Sequence, residues 1–345
     1  MIWKRLSILL TFSCFLVLVA CSNQEQEKKE SQENLTPPKE VKEEEREPAF
    51  AYPLTGEGSE EARTHRAIAV TINNHVLARP QSGLTKADIV YELLAEGSIT
   101  RFLAIYQSEF PDRFGPVRSA RDYFIDVAKS YDGLYIAHGY SPSAKERLDS
   151  GEIDNLNGMK YDGSLFNRST DRKAPHNSYI SYENVLKGAN KEQYSMQGAP
   201  ASLEFLTKSD VEELRGEKIN QIKVAYSKGS EFTAEYQFDK ETEKYSRYSN
   251  GEQTADLDTG EPVLLDNVLI IETVHKVLDS NGRRSIDLTS GGKALLFQKG
   301  IMREVDWKSQ DGQILPFEDG VPAKLTVGKT WINVVPNMDI VTSVE

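Results

Sequence analysis

The chain has 345 residues, of which 39% are hydrophobic and 27% charged, and its formal net charge is −12. This length accommodates two domains of about 150 residues each. The acidic balance argues against a protein that binds nucleic acid by neutralising phosphates, so no nucleic-acid partner is expected. The only cysteines, Cys14 and Cys21, exclude a disulfide framework and a cysteine-based zinc or iron–sulfur site. We expect no cofactor and no metal.

The first 21 residues have the pattern of an export signal. Lys4 and Arg5 precede an apolar run over residues 6–20, which is shorter than the roughly 20 residues of a bilayer span and fits a signal peptide. The run ends in Leu18-Val19-Ala20-Cys21, which resembles the bacterial lipobox. The pattern predicts a signal peptide over 1–21 and a diacylglyceryl lipid on Cys21, which would anchor the protein at the extracytoplasmic face of the cell membrane. The alternative is an ordinary secretory signal.

Residues 22–48 form a polar, acidic segment. Nine glutamates stand against four lysines and one arginine. Such a composition cannot bury enough apolar surface to offset the entropy lost on ordering. We therefore predict a disordered tether with a root-mean-square span of about 30 Å.

Residues 49–200 are predicted to form a mixed α/β sheet domain. The short apolar runs suggest strands, two of which form a hairpin through 95–98. Pro116 suits the first turn of a helix, and Ser181 suits a helix N-cap. The predicted strands lie at 68–72, 89–94, 101–106 and 134–138, and the predicted helices at 116–130 and 181–188.

Residues 217–345 are predicted to form a second, β-rich domain, a sandwich or an open barrel. Alternating segments at 222–226, 232–238 and 245–248 are followed by turn signals such as Asn250-Gly251. The segment 324–335 has the pattern of two strands about a glycine. The whole chain is therefore predicted to be an α+β protein.

The string from Gly115 to Asp122 is the densest polar feature. If Pro116 opens a helix, Arg118 and Arg121 lie near its N-terminus, where free N–H groups and two guanidinium groups favour a carboxylate or phosphate. The alternative is that these arginines pair with Asp122, Glu92 or Glu96 and hold the sheet to the helix.

Two histidines occupy positions typical of functional residues, one at the end of a predicted strand and one in a predicted loop. His138 follows a strand, and His176 precedes Asn177 in a loop. This arrangement is typical of a general base with an orienting amide, although a strand-end histidine is often structural. The five histidines lack the close spacing of a metal site. For five aromatic residues, core packing is favoured over a sugar-stacking groove: Phe114, Tyr123, Tyr135, Tyr140 and Tyr161.

Several strings together resemble the YerB-type lipoproteins of Bacillus-like bacteria. They are Arg79–Leu84, Ala87–Glu92, Glu96–Phe102, Gly115–Arg121, Ala174–Asn177 and Gly328–Ile332. The resemblance spans nearly the whole chain after the tether. It implies a lipid-anchored protein with two linked domains. No biochemical function is established for that family, so the resemblance transfers no catalytic residue.

We therefore expect an extracytoplasmic lipoprotein that binds a ligand or a partner protein at the cell envelope. The ligand should contain an anion, such as a wall polymer, a peptide terminus or a phosphorylated sugar. An envelope hydrolase is the alternative, with His176 or Glu92 as base and the arginines holding an oxyanion. An assembly scaffold is the third possibility. The candidate site residues are Glu92, Arg101, Arg118, Ser119, Arg121, Asp122, His138, His176 and Asn177.

Overall fold

A 12-stranded sheet, built from strands of both sequence halves, is the centre of the structure. The computed structural model describes residues 48–345. The predicted signal peptide with Cys21 lies outside the described residues, as does the predicted tether except for Pro48. None of the helices within the described range is long and apolar enough to cross a membrane.

Residues 48–200 form ten strands and four α-helices. The strands are β1 (Phe50–Ala51), β2 (Gly58–Ser59), β3 (Ile68–Asn73), β4 (Ile89–Glu96), β5 (Ile99–Tyr106), β6 (Arg113–Phe114), β7 (Leu134–Ala137), β8 (Asn155–Asn157), β9 (Phe166–Arg168) and β10 (Ser178–Ser181). The helices are α1 (Asp122–Ser130), α2 (Pro142–Asp149), α3 (Gly158–Tyr161) and α4 (Tyr182–Glu192).

Residues 201–345 form one short helix and fifteen strands. The helix is α5 (Lys208–Glu212). The strands are β11 (Glu217–Lys218), β12 (Gln221–Ala225), β13 (Thr233–Asp239), β14 (Lys244–Ser249), β15 (Glu252–Gln253), β16 (Leu264–Leu265), β17 (Asn267–Glu272), β18 (His275–Val277), β19 (Arg284–Ile286), β20 (Gly292–Gln298), β21 (Ile301–Gln310), β22 (Gln313–Glu318), β23 (Val321–Pro322), β24 (Thr330–Val335) and β25 (Val341–Val344).

The strand order of the central sheet determines which residues meet at its ends. The order is β23-β22-β21-β20-β17-β24-β4-β5-β3-β7-β8, and β11 pairs with β21. Strands β17, β24 and β4 are parallel, as are β3, β7 and β8. Because β5 is antiparallel to both β4 and β3, these two parallel groups point the same way. Their carboxyl ends therefore lie at one end of the sheet.

The middle strands of the central sheet, β3, β4, β5 and β24, are buried on both faces. All six residues of β3 are buried, and their alternation sends Ile68, Val70 and Ile72 to one core and Ala69 to the other. A second sheet, of order β15-β14-β13-β12-β25 with β16 on β14, packs on the first face. Helices α1 and α2 contribute to the core on the other face. Strands covered on both faces read as continuous apolar runs.

Local signals predicted several elements correctly. The hairpin of β4 and β5 is confirmed, with Gly97 in the turn at a φ of 56°. Ser181 is confirmed as the N-cap of α4, where its side chain accepts a hydrogen bond from the Asn184 N–H.

The helix predicted from Pro116 is wrong over its first six residues, because α1 begins at Asp122. The backbone of the preceding segment bonds to the end of β3 instead. Pro116 O accepts from Asn73 N at 2.8 Å, and Arg118 N donates to Thr71 O at 2.8 Å. Backbone groups bonded to a strand are not available for helical hydrogen bonds.

The fold is mostly β, with 43% of the described residues in strands and 16% in helices, so the α+β prediction is right only in outline. The sandwich or barrel predicted for 217–345 differs from the structure, since β17, β20 to β24 and β11 extend the sheet begun by the N-terminal half. The segment 324–335 was predicted to form two strands, but it contains only β24. Leu325 makes an isolated β-bridge to Phe205 instead of a second strand. The boundary between 49–200 and 217–345 stays a prediction.

Candidate functional site

The candidate site lies at the carboxyl ends of β3 and β7. Asn73 ends β3, and His138 directly follows β7. The extended segment that carries Arg118 lies between them, since Arg118 N bonds to β3 and Arg118 O accepts from His138 N at 2.9 Å. Ligands of sheets with parallel strands commonly bind in the crevice at this end.

Arg118 is the unusual cation of the site. Its side chain is half-buried, its Nε is buried without a hydrogen-bond partner, and its guanidinium forms no ion pair within residues 48–345. Burial, together with the charges of Arg101 and Arg168, lowers the pKa of Arg118 to about 10. At neutral pH the group remains protonated, so the site holds a positive charge that no described carboxylate neutralises.

His138 is held by two neighbours. Its Nδ1 lies 2.7 Å from Ser178 Oγ, and its Nε2 lies 3.0 Å from Arg168 Nη2. Because a guanidinium only donates, Nε2 accepts, and this network assigns the ring proton to Nδ1. Burial lowers the pKa of His138, as does the charge of Arg168. The ring packs on Gly158, where a Cβ would lie 2.2 Å from Nδ1.

His75 and His176 form a stacked pair. Their ring centroids are 4.5 Å apart and their planes differ by 26°. Asn73 Nδ2 donates to His176 Nδ1 at 2.9 Å, and Leu77 N donates to His75 Nδ1 at 3.2 Å, which leaves the proton of each neutral ring on Nε2. Burial lowers both pKa values. The charge of Arg118 also lowers both, with Arg79 acting on His75.

The loop after β9 borders the site. Asn177 donates to Ser169 O at 3.0 Å and accepts from Arg168 Nη1 at 3.3 Å, so it orients the loop and Arg168. The sequence analysis assigned Asn177 to orienting His176, but the amide that contacts His176 is Asn73. Arg172 donates to Ala78 O at 2.8 Å and Pro80 O at 2.7 Å, which ties this loop to the segment after β3.

These contacts define an arginine–histidine cluster of six residues: His75, Arg118, His138, Arg168, Arg172 and His176. Asp162 pairs with Arg168 at 2.9 Å. Arg118 and Arg172 have no carboxylate partner in the described part of the chain, and neither has the adjacent Arg79. The cluster is therefore a local excess of positive charge in an acidic protein, which suits an anion. No group of three or more potential metal ligands occurs among the described residues.

Glu92, predicted to belong to the site, lies instead in the core. Its Oε2 is 2.8 Å from Arg247 Nη2, and each side chain is only 1% exposed. Thr100 Oγ1 donates to its Oε1 at 2.9 Å. Glu92 faces the second sheet because it shares its strand face with Val90 and Leu94. It cannot contact a ligand at the cluster.

Arg121 and Asp122 also lie apart from the cluster. Arg121 is the N-cap residue of α1 and pairs with Glu96, which also binds Arg101 Nη2 at 2.7 Å. Asp122 accepts from Ser143 Oγ at 2.6 Å. The alternative interpretation, in which an arginine holds the sheet to the helix, thus fits Arg121 but not Arg118.

Two other predicted residues lie beside the cluster. Ser119 Oγ donates to His138 O at 3.2 Å, and Arg101 Nη1 donates to Ser119 O at 3.0 Å. The structure therefore brings together five of the predicted residues, with Arg101 beneath them: Arg118, Ser119, His138, His176 and Asn177.

Sequence reasoning missed several residues that shape the cluster. Asn73 is the last residue of the buried strand β3 and His75 lies two residues beyond it, and polar residues at such a strand end are a signal that was available. Arg168 ends β9 and Arg172 lies in the loop that follows, and the position of this loop depends on contacts distant in sequence. Gly158 carries no signal in the sequence, because its role is to leave room for the ring of His138.

Comparison with known proteins places the chain in a family. Residues 54–195 match the N-terminal domain, and residues 222–332 the C-terminal domain, of Protein of unknown function (DUF3048). The chain belongs to the DUF3048 family. A Bacillus subtilis protein named "Putative lipoprotein YerB" is 48% identical over 289 residues, covering 83% of this chain and 86% of the relative. This confirms the resemblance to YerB-type proteins.

A solved structure agrees with the fold of this DUF3048 protein. The crystal structure of YerB from Bacillus subtilis matches with a TM-score of 0.81 and 45% identity, covering 86% of this chain and all of that chain. All six residues of the arginine–histidine cluster lie within the match to the N-terminal DUF3048 domain.

Proposed function

We propose that this DUF3048 protein is a lipid-anchored, extracytoplasmic protein that binds an anionic ligand through the arginine–histidine cluster. The observation that carries the proposal is the guanidinium of Arg118, half-buried and without an ion-pair partner among the described residues. A charge removed from water is costly unless it is paired. A carboxylate or phosphate would supply the partner and accept two parallel hydrogen bonds from the guanidinium.

The histidines support a role in binding. Burial and neighbouring positive charges lower the pKa of His75, His138 and His176, so all three rings are mostly neutral at pH 7. A neutral imidazole can still donate a hydrogen bond from its protonated nitrogen. A bound anion would raise these pKa values and strengthen the interaction.

The same contacts favour binding over hydrolysis. A general base needs a free lone pair, but His138 Nε2 accepts from Arg168 and His176 Nδ1 accepts from Asn73. Glu92, the other candidate base, is buried against Arg247. None of the three candidate bases is therefore available to activate water.

The lipid anchor is supported by the name of the Bacillus subtilis relative, "Putative lipoprotein YerB", and by the lipobox-like end of the predicted signal sequence. Growth with labelled palmitate should label the wild-type protein and leave a Cys21→Ser variant unlabelled. Equal labelling of the two proteins would refute the anchor.

The binding role is tested with Arg118→Gln. Loss of a charge-assisted hydrogen-bonding group costs about 2 kcal/mol, which is roughly a 30-fold loss of affinity. Binding of inorganic phosphate to the full-length protein in detergent should be measured by titration calorimetry. The matched control is Arg215→Gln, since Arg215 also has no described carboxylate partner and bonds only to nearby carbonyls.

We expect the control to bind phosphate like the wild type, and both variants to unfold at nearly the wild-type temperature. The proposal fails if the wild type does not bind phosphate or carboxylate ligands, or if Arg118→Gln binds phosphate as tightly as the control does.

A further inference from the structure

A cavity of about 330 Å³ lies directly beside the arginine–histidine cluster. Its lining includes three tyrosines, and we call it the tyrosine cavity. Its volume is at the small end of the range for ligand sites, about 300–1,000 Å³. The lining residues used below are Tyr140, Met159, Lys160, Tyr161, Glu192 and Tyr194.

The cavity and the cluster share a wall. His138 belongs to the cluster and Tyr140 to the cavity; only Gly139 lies between them in the chain, so their Cα atoms are at most about 7 Å apart. Asn157, at the end of β8, accepts from Gly139 N at 3.0 Å and donates to Gly139 O at 3.3 Å. Gly158 packs on His138, and the next residue, Met159, lines the cavity. One small molecule can therefore reach both places.

The cavity offers aromatic and apolar surface. Tyr140 and Tyr194 are half-buried, and Met159 is 62% exposed, which is high for a large apolar side chain. Tyr161 is buried, as are Phe114, Tyr123 and Tyr135, so core packing is the role of four of the five aromatic residues considered in the sequence analysis. Tyr140 is the exception. Its ring is placed where the apolar face of a ligand could pack.

The charges around the cavity are already balanced. Lys160 Nζ lies 2.9 Å from Glu192 Oε1, which also accepts from the Tyr161 hydroxyl. Lys145 pairs with Asp149 and lies over the ring of Tyr140. These ion pairs favour neither a second anionic group nor an ammonium group on a ligand. Glu192 Oε2 accepts no hydrogen bond from the described residues and suits a ligand hydroxyl.

We propose that the tyrosine cavity binds the sugar ring of a phosphorylated sugar whose phosphate occupies the arginine–histidine cluster. This inference rests on the proposed function, because the cluster must bind the phosphate. The ring packs on Tyr140 and Met159, and its hydroxyls bond to Glu192 and Lys160. The two sites then recognise two different parts of one ligand.

The test compares three probes on the full-length protein in detergent: inorganic phosphate, glucose and glucose 6-phosphate. Glucose 6-phosphate should bind about tenfold tighter than inorganic phosphate, the size of one aromatic contact with added hydrogen bonds. Tyr140→Leu should abolish this gain and leave the affinity for inorganic phosphate unchanged. Tyr140→Phe, which keeps the ring, is the matched control and should retain most of the gain. Thermal unfolding of both variants checks that they fold.

The outcomes separate this inference from the proposed function. If inorganic phosphate binds and glucose 6-phosphate binds no tighter, the sugar site is refuted and the anion site stands. The sugar site is also refuted if Tyr140→Leu folds and keeps the gain, or if Tyr140→Phe loses it as fully as Tyr140→Leu. If neither phosphate nor glucose 6-phosphate binds, both proposals fail.

Discussion

The buried ion pair of Glu92 and Arg247 gives the sharpest prediction about stability. Both side chains are 1% exposed, and the guanidinium lies over the rings of Trp331 and Phe102, 4.5 and 5.1 Å from their centroids. In Arg247→Leu the carboxylate of Glu92 stays in the core without its counter-charge. Removing one partner of such a pair costs about 3–5 kcal/mol. We expect the free energy of unfolding to fall by that amount.

The double variant Glu92→Leu/Arg247→Leu should be much less damaging than the two single variants together. With both charges gone, the remaining cost comes from polar partners that lose their acceptor, namely Trp331 Nε1 and Thr100 Oγ1, while Asn74 Nδ2 keeps Thr100 Oγ1 as an acceptor. At about 1 kcal/mol for each unsatisfied group, the double variant should lose about 2 kcal/mol. Since removal of either partner alone should cost at least about 3 kcal/mol, the coupling energy between the two positions should be at least about 4 kcal/mol, well above the usual error of additivity.

Guanidinium chloride unfolding, followed by tryptophan fluorescence and circular dichroism, measures these values. Trp331 contacts the pair directly, and coincident transitions by both methods would justify a two-state treatment. Lys145→Gln is the control, because Lys145 pairs with Asp149 at the surface, with exposed fractions of 47% and 61%. The control should cost at most about 0.5 kcal/mol. If Arg247→Leu costs no more than the control, the argument from burial is wrong.

Two further predictions concern the arginine–histidine cluster. Gly158→Ala places a Cβ 2.2 Å from His138 Nδ1, so the ring must move. Phosphate affinity, measured by calorimetry, should fall about tenfold, which corresponds to the loss of about one hydrogen bond. An unchanged affinity would mean that His138 does not contact the anion. The lowered pKa values of His75, His138 and His176 mean that the unfolded chain binds more protons below pH 6.5. The ligand-free protein should therefore lose stability as pH falls below 6.5, whereas sulfate, which keeps its charge, should bind tighter at pH 5.5 than at 7.5. Sulfate affinity independent of pH would exclude the histidines from the site.

The parts of the fold predicted correctly depend on local chemistry. The turn at Gly97 and the N-cap at Ser181 are set by neighbours in sequence, so the hairpin and α4 follow from a few residues. The segment after Gly115 is different. Its conformation is set by bonds to β3, more than 40 residues earlier, which override the helix signal of Pro116. Because the segment is extended, the side chain of Arg118 lies in the cluster. If a helix began at Pro116, Arg118 would lie beside Arg121.

Only part of the predicted site lies together. The sequence predicted that Arg118, Arg121, His138 and His176 share one cleft; Arg118 lies near both histidines, whereas Arg121 pairs with Glu96 at the start of α1. That these residues form a binding site stays a prediction. The sequence could not show that Glu92 lies on the face covered by the second sheet. Its partner, Arg247, comes from the C-terminal half, and only the pairing of β4 with β24 brings the two halves together.

The way that carboxylates are distributed explains why one arginine stands out. Carboxylates outnumber cations in this chain, yet they neutralise selected arginines around the carboxyl end of the sheet. Glu96 is shared by Arg101 and Arg121. Three other arginines have one carboxylate each: Arg113 has Asp258, Arg168 has Asp162 and Arg247 has Glu92. Arg118 has no such partner among residues 48–345. Arg79 and Arg172 have none there either, but both donate to backbone carbonyls, whereas Arg118 Nε is buried without a hydrogen-bond partner. An anion therefore gains the most at Arg118, where it competes with no resident carboxylate.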